Sequence, residues 1–141
     1  MTDQEIIVRA GRFWRLAGQV EPFPRLLERA IAWALPLTLV KLPRLSFPDL
    51  RAWLTQRDIP FIFSHSDRCL RACLIAKAGS GIVFLDGSDP DDERRFSLAH
   101  EVAHFILDYL EPRERGIELL GAAGLEVLDG RLCMEIQKGT I

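Results

Sequence analysis

The beginning of the chain repeats its apolar residues with the period of an α-helix. Within residues 6–17, and again within residues 26–34, apolar side chains recur every three or four positions with charged residues between them. The first segment ends at Gly18 and the second stops before Pro36, and both residue types end helices. We therefore predict two amphipathic helices in an N-terminal helical part, residues 1–36.

The residues that follow change to shorter patterns. Residues 37–42 are apolar and partly β-branched, which indicates a strand or an extended link. Ser46 can cap a third, short helix, because a serine hydroxyl accepts a hydrogen bond from a free backbone N–H at a helix start. The apolar residues that share one face of this predicted helix are Phe47, Leu50, Trp53 and Leu54.

Three apolar runs after Asp58 predict a small sheet. Residues 60–63, 70–78 and 82–85 are short runs rich in apolar, β-branched or aromatic side chains, as strands are. The glycines on either side of Ser80 separate the last two runs and favour a tight turn between them. We expect a three-stranded, mostly antiparallel sheet.

The clearest local signal is a helix start at residues 89–93, which read Asp-Pro-Asp-Asp-Glu. Asp89 can cap the helix, the proline suits its first position, and the acids favour the positive end of the helix dipole. This helix should run to about Leu110 and end before Pro112. Residues 112–141 form a weakly patterned tail. Helices followed by a small antiparallel sheet and a long helix predict one α+β domain.

Residues 37–111, the sheet and the long helix, contain the candidate metal-binding and catalytic residues. His100, Glu101 and His104 form an HExxH motif in the middle of that helix. Residues four apart lie on one helix face, with β-carbons about 5–6 Å apart. Two imidazoles placed in this way can bind one zinc ion at about 2.0–2.1 Å each. Zinc lowers the pKa of a bound water to about 7 and polarises the scissile carbonyl.

The glutamate of the motif completes the chemistry. Glu101 lies beside the two histidines, where it can accept the proton of the water and pass it to the leaving amine. We therefore predict His100 and His104 as metal ligands and Glu101 as the catalytic acid and base. The alternative is a partly solvated helix face without a metal, but burying these side chains unpaired would cost free energy.

Residues 94–107, which read RRFSLAHEVAHFIL, resemble the signature of the ImmA/IrrE family of metallo-endopeptidases. In that family the active-site helix opens with an Arg-Phe-Thr/Ser-Leu-Ala-His-Glu run, and a small sheet precedes it, ending in a strand like residues 81–86. The resemblance covers residues 37–110 and is strongest at the motif. It implies a zincin-like α+β fold, a zinc cofactor, the two motif histidines as ligands and the motif glutamate as the catalytic residue.

The resemblance also implies a biological setting. Family members are cytoplasmic and often of phage, mobile-element or stress-response origin, and several cleave helix-turn-helix repressors to release transcription. A protein or peptide substrate is therefore expected, and a helix-turn-helix transcriptional repressor is the implied partner. We expect the substrate peptide to lie extended beside the strand at residues 80–86, by β-augmentation.

A catalytic zinc site takes three protein ligands and a water. The family supplies the third as an acidic residue well after the HExxH motif, and no segment of the family's Glu-x-x-Ala-x-x-Phe-Ala character is present here. Asp108 follows His104 by four residues but is rotated too far from His100 to share a metal easily. Glu126 and Asp129 lie in a segment that can fold back, and they are the two candidates. The other acids of this region, expected to be solvated surface residues, are Glu111, Glu114, Glu118 and Glu135.

Several hypotheses for the function remain open at this point. The first is a zinc-dependent endopeptidase domain. The second is a shortened, non-catalytic zincin-like domain that binds a protein partner, because no third ligand is identified and family members commonly extend further. A helical structural domain with an accidental motif is the third. The third metal ligand is the feature that discriminates between the first two.

Composition excludes other classes of protein. The net charge is -2 and basic residues are not clustered, so direct nucleic-acid binding is not expected. Three irregularly spaced cysteines, Cys69, Cys73 and Cys133, argue for a reducing compartment rather than a disulfide framework. The N-terminus lacks the pattern of a signal peptide, and the longest apolar run, residues 30–40, is too short to span a bilayer. We expect a cytoplasmic protein without membrane contact.

Overall fold

The computed structural model describes residues 1–19, 22–59, 69–130 and 132–138. These residues belong to two compact units, Met1–Thr38 and Leu39–Ile141. Among the helices of these ranges, none has the length and apolar content needed to cross a bilayer. The predicted strand at residues 60–63 lies outside the described residues.

The N-terminal unit contains two helices, α1 (Asp3–Leu16) and α2 (Leu27–Ala34), where helices are predicted. α1 begins with a capping box. The Thr2 hydroxyl accepts a hydrogen bond from the Glu5 backbone N–H, and the Glu5 carboxylate accepts one from the Thr2 N–H. The buried apolar side chains of this unit are Phe13, Leu27, Ala30 and Ile31.

The remaining elements form an α+β arrangement around one sheet. In chain order they are β1 (Leu37–Leu42), α3 (Phe47–Gln56), β2 (Leu70–Lys77), β3 (Ser80–Asp86), α4 (Asp91–His104), a π-helical segment (Phe105–Leu110), α5 (Glu111–Asp129) and β4 (Leu132–Lys138). The strand order is β1-β3-β2-β4, and β2 is antiparallel to both β3 and β4. The predicted α+β class is confirmed. The predicted count of three strands is wrong, because the described residues contain a fourth strand, β4.

β4 lies in the tail for which the sequence predicts no clear element. Its side chains alternate: Met134 and Ile136 pack against the apolar core, whereas Glu135 and Gln137 lie on the other face of the sheet. This alternation covers only four residues, so it is weak as a sequence signal. Pairing along the whole of β2 stabilises the strand in the folded chain.

The two faces of the sheet pack against different helices, and the strand register shows which residues lie on each face. Residues directly opposite each other on paired strands share a face. Cys73 lies opposite Phe84 and Ile136, in the core that α3 covers, whereas Leu74 lies opposite Glu135 on the face that carries α4. The fully or nearly fully buried residues of the α3 side are Leu45, Phe47, Leu50, Leu54, Leu70, Cys73, Ile75 and Phe84.

The predicted hairpin is formed by β2 and β3. Ala78 and Gly79 connect the strands with φ of 53° and 86°, the left-handed pair that a two-residue hairpin turn requires. The Tyr109 hydroxyl, from the π-helical segment, accepts a hydrogen bond from the Gly79 backbone N–H at 2.8 Å. This bond ties the hairpin turn to the helix that follows the HExxH motif.

α4 differs from its prediction at both ends. Pro90, and not Asp89, occupies the N-cap, and no side chain caps the helix. At the other end the helix does not stop before Pro112, because the chain continues through the π-helical segment into α5. The proline lies in the first turn of α5, where a backbone N–H is not needed for the helix.

β3 lies inside the sheet, between β1 and β2. A strand that is paired on both sides has no free backbone groups to offer to a peptide. The prediction that a substrate pairs beside residues 80–86 is therefore wrong. β4, by contrast, is an edge strand in the order of the sheet.

Candidate metal centre

α4 places the HExxH motif at the border between the sheet and solvent. Leu98 and Val102 are buried where the helix packs on β2 and β3, and Glu101 between them is fully buried. His100 is exposed and His104 is half-buried. The glutamate of the motif is therefore buried under the helix, whereas its two histidines are accessible to solvent.

The two imidazole rings meet at their Nε2 atoms. The Nε2 atoms of His100 and His104 are 3.0 Å apart, and the ring centroids are 4.6 Å apart. This is the arrangement that the spacing of four residues predicts on a continuous helix. Both ring nitrogens are thus directed at a common point.

Asp108 fixes the orientation of the second ring. Its Oδ2 atom lies 2.6 Å from Nδ1 of His104, so we assign the ring proton to Nδ1, which donates to the carboxylate. The lone pair of Nε2 then faces His100 and is available to a metal. A carboxylate behind a metal-binding histidine is a common arrangement. As the sequence predicts, Asp108 lies too far around the helix from His100 to bind the same metal, and it contacts His104 instead.

The structure brings a third donor to the histidines, and it comes from β4. Oε1 of Glu135 lies 3.6 Å from Nε2 of His104. One ligand atom from each of His100, His104 and Glu135 lies within 4.8 Å of the other two. The register that sets Glu135 opposite Leu74 places its side chain on the sheet face of α4.

The two acids considered from the sequence lie elsewhere. Asp129, at the end of α5, pairs with the guanidinium of Arg113. Glu126 is exposed on α5. Within the described ranges, the group that can hold a metal therefore contains Glu135 and neither of these acids.

The distances and donor types of this cluster fit a zinc ion. Tetrahedral ligands bound at about 2.0–2.1 Å lie about 3.3–3.4 Å from one another. Two of the three separations in the cluster, 3.0 and 3.6 Å, bracket that value, and the third, between His100 and Glu135, is within 4.8 Å. Two imidazole nitrogens and one carboxylate oxygen are also the ligand set of catalytic zinc in several metallopeptidases.

Glu101 lies next to the cluster but is not part of it. Its Oε1 atom accepts a hydrogen bond of 2.7 Å from Nε2 of Gln137, on β4. The same Gln137 nitrogen donates to the backbone carbonyl of Ser97 at 3.0 Å. Oε2 of Glu101 is buried and has no hydrogen-bond partner among the residues that the structure describes.

The surroundings shift the protonation of two groups in the site. Burial raises the pKa of Glu101 to about 7, with the Gln137 hydrogen bond lowering it, the Glu135 charge raising it and His104 lowering it. Burial also lowers the pKa of His104, but the Asp108 hydrogen bond and the neighbouring carboxylates raise that pKa above its usual value overall. The metal-free site therefore retains protons that the same groups release in the unfolded chain.

These shifts predict how the stability of the zinc-free protein depends on pH. Glu101 has a pKa of about 7 when folded and 4.5 when unperturbed, so the folded chain binds the extra proton between these values. We expect the free energy of unfolding to fall as pH rises from 4.5 to 7, by about 3 kcal/mol from this group. His104 adds a loss in the same direction above its unfolded pKa of 6.5. Urea unfolding at several pH values measures the slope.

The control for this pH dependence is Glu101→Gln, which should flatten the decline between pH 4.5 and 7. A stability that rises over that interval in the wild-type chain, or a slope that persists unchanged in the variant, would contradict the prediction.

Sequence reasoning missed two residues of this site, Glu135 and Gln137. Both lie 30 or more residues after the motif, so no helical spacing relates them to it. The available signal is the alternation from Met134 to Gln137, which indicates a short strand with one polar face. It does not indicate which face of the sheet, or which partner strand, the polar side would meet.

Comparison with known proteins gives one match. Residues 62–123 match the family profile described as the IrrE N-terminal-like domain, peptidase M78. The matched region includes the HExxH motif and Asp108, and it ends before Glu135 and Gln137. Searches of curated proteins and of solved structures found no match. The resemblance to the ImmA/IrrE family that the sequence predicts is thus confirmed over residues 62–123, which make up less than half of the chain.

Proposed function

We propose that this chain is a zinc-dependent endopeptidase domain. In this proposal His100, His104 and Glu135 hold the metal, and Glu101 is the general acid and base. The observation that carries it is the convergence of three metal-binding side chains, within 4.8 Å of one another, beside a buried carboxylate. The family match, to a domain of peptidases, supports the same reaction class.

A bound zinc would supply a Lewis acid for the peptide carbonyl and would make a bound water more acidic. Glu101 accepts a proton from the attacking water as the carbon–oxygen bond forms. It then delivers this proton to the amide nitrogen as the carbon–nitrogen bond breaks, so that the amine leaves neutral. Burial raises the pKa of this carboxyl group in the metal-free site, and a buried carboxylate is a stronger proton acceptor than a solvated one.

The sheet suggests a path for the substrate. β4 lies at the edge of the sheet beside the cluster, and an extended peptide can add to an edge strand through backbone hydrogen bonds. We therefore propose the outer edge of β4, which pairs with no other described strand, as the docking strand in place of residues 80–86.

The partner and the setting follow from the family. We propose a helix-turn-helix repressor as the substrate, cleaved in the cytoplasm during a phage or stress response. The support for this is the family match over residues 62–123 together with the resemblance at residues 94–107, and the site geometry supports only the peptide class of substrate.

Metal content tests the proposal directly. Purified wild-type protein should bind about one zinc ion per chain and cleave peptides, and a chelator should abolish cleavage. His100→Ala should lose both zinc and cleavage, because it removes one of three ligands. Elemental analysis and a fluorogenic peptide assay give the two readouts. A folded wild-type protein that binds no zinc would show that the proposal is wrong.

One observation favours a second function, a non-catalytic domain that binds a protein partner. Glu101 is 0% exposed, so water reaches its free oxygen only after local movement of the chain. In that case the protein would bind zinc and a repressor-like partner but cleave no peptide, and Glu101→Gln would leave both kinds of binding unchanged. The cleavage assay with the wild-type protein separates the two functions.

A further inference from the structure

We infer that Gln137 is a positioning residue for Glu101, an inference that rests on the proposed peptidase function. Among the described residues, the hydrogen bonds of the Gln137 side chain go to Glu101 and Ser97 and to none of the three metal-binding side chains. Its side-chain nitrogen lies 2.7 Å from Oε1 of Glu101 and 3.0 Å from the Ser97 carbonyl oxygen.

The orientation of the Gln137 amide follows from its neighbours. A carboxylate oxygen and a backbone carbonyl oxygen are both acceptors, so the amide nitrogen, which carries two N–H groups, must face them. Ser97 precedes Glu101 by one helical turn, and its carbonyl oxygen is held in place by α4. The amide is therefore fixed to the helix by one N–H and directs the other at the carboxylate.

This bond distinguishes the two oxygens of Glu101. Oε1 is held by Gln137, whereas Oε2 has no partner among the described residues. A carboxylate with one oxygen fixed cannot rotate freely about its last torsion. Oε2 is then the oxygen that takes the proton in the proposed reaction, and Gln137 restricts where it can be.

Two residues on the same face of β4 contribute to the site. Glu135 and Gln137 are two residues apart on the strand, so both side chains point at α4. A slip of one residue in the pairing with β2 would turn both away. A single strand thereby completes the metal cluster and orients the catalytic carboxylate. Neither residue lies within the region that matches the family profile.

The test replaces Gln137 with methionine, which has a similar length and no donor. We expect kcat to fall by about 10- to 100-fold, the usual effect of removing a supporting hydrogen bond at a metal site. KM and zinc affinity should stay unchanged, because the variant removes hydrogen bonds to Glu101 and to the Ser97 carbonyl and none to a metal-binding side chain. The substrate is the best-cleaved member of a library of fluorescence-quenched peptides, and zinc affinity comes from competition with a chromogenic chelator.

Two further variants separate a positioning role from a structural one. Gln56→Met makes the same chemical change at an exposed residue of α3, away from the site, and should change none of the three quantities. Asp108→Asn acts on His104 and should instead lower zinc affinity. If Gln137→Met lowers zinc affinity as much as kcat, it merely displaces β4 and Glu135, and the inference is wrong. It is equally wrong if kcat does not change.

A measurement that does not depend on catalysis distinguishes failure of the inference about Gln137 from failure of the proposed peptidase function. In zinc-free protein labelled with ¹⁵N, the side-chain amide signals of Gln137 should shift in Glu101→Gln and stay in place in Glu93→Gln. If they shift while wild-type protein cleaves no peptide, the peptidase function is wrong and the positioning role falls with it. If wild-type protein cleaves peptides but the signals do not shift, only the inference about Gln137 fails.

Discussion

Glu101→Gln is expected to lower kcat for peptide cleavage by about 10²- to 10⁴-fold, the range that a general acid or base contributes. Glutamine has the same shape but cannot accept a proton from the attacking water or return it to the leaving amine. Zinc content should remain that of the wild type, because Glu101 is not among the three side chains of the cluster. Initial rates at saturating substrate and elemental analysis of the same samples give the two values.

A second glutamate on the same helix provides the matched control. Glu93 lies in the first turn of α4, away from the motif, and Glu93→Gln should leave both kcat and zinc content unchanged. If Glu101→Gln cleaves peptides at the wild-type rate, the mechanism proposed here is wrong. A loss of zinc together with activity would instead indicate that the variant disturbs the cluster, for example through the hydrogen bond with Gln137.

The sequence predicts the part of this site that depends on local spacing. Two histidines four residues apart on a helix must lie close together, and in the structure their Nε2 atoms are 3.0 Å apart. The position of Asp108 follows from the same rule. It is four residues beyond His104, so it contacts that ring and lies one turn too far to reach His100. The hairpin is equally local, because two adjacent residues determine its turn.

The residues that the sequence does not predict depend on strand register. Glu135 and Gln137 reach the motif only because β4 pairs with β2 and because the pairing sets Glu135 opposite Leu74. A shift of one residue would place Met134 and Ile136 toward α4 and bury the two polar side chains in the α3 core. The cost of that burial selects the register, and it is a property of the whole sheet. No pattern within residues 132–138 contains this information.

The same argument explains why Glu126 and Asp129 are plausible from the sequence but lie outside the cluster. Both follow Gly121, where the non-helical backbone (φ 63°, ψ -145°) divides α5 into two helical pieces, and the second piece folds back on the first so that Asp129 reaches Arg113. Asp129 instead neutralises Arg113, a partly buried cation at the start of that helix. Asp129, at the end of α5, therefore forms an ion pair, whereas Glu135, on β4, belongs to the cluster.

Removal of Glu135 should strongly weaken metal binding. We expect Glu135→Ala to weaken zinc binding by more than about 100-fold, the upper range for residues that only support a ligand, because it removes a ligand itself. Peptide cleavage should be lost at zinc concentrations that saturate the wild type. Affinity is measured by competition with a chromogenic chelator, and circular dichroism confirms that the variant is folded.

The two acids of α5 are the controls for this prediction, since both are closer to the motif in sequence than Glu135 is. Glu126→Ala changes an exposed side chain, and Asp129→Asn removes the ion pair with Arg113, so the second should lower stability slightly. Neither should change zinc affinity. If Glu135→Ala binds zinc as tightly as the wild type while Glu126→Ala or Asp129→Asn does not, the third ligand lies on α5. In that result β4 would not complete the metal centre, and the strand would have to be displaced from the cluster when zinc binds.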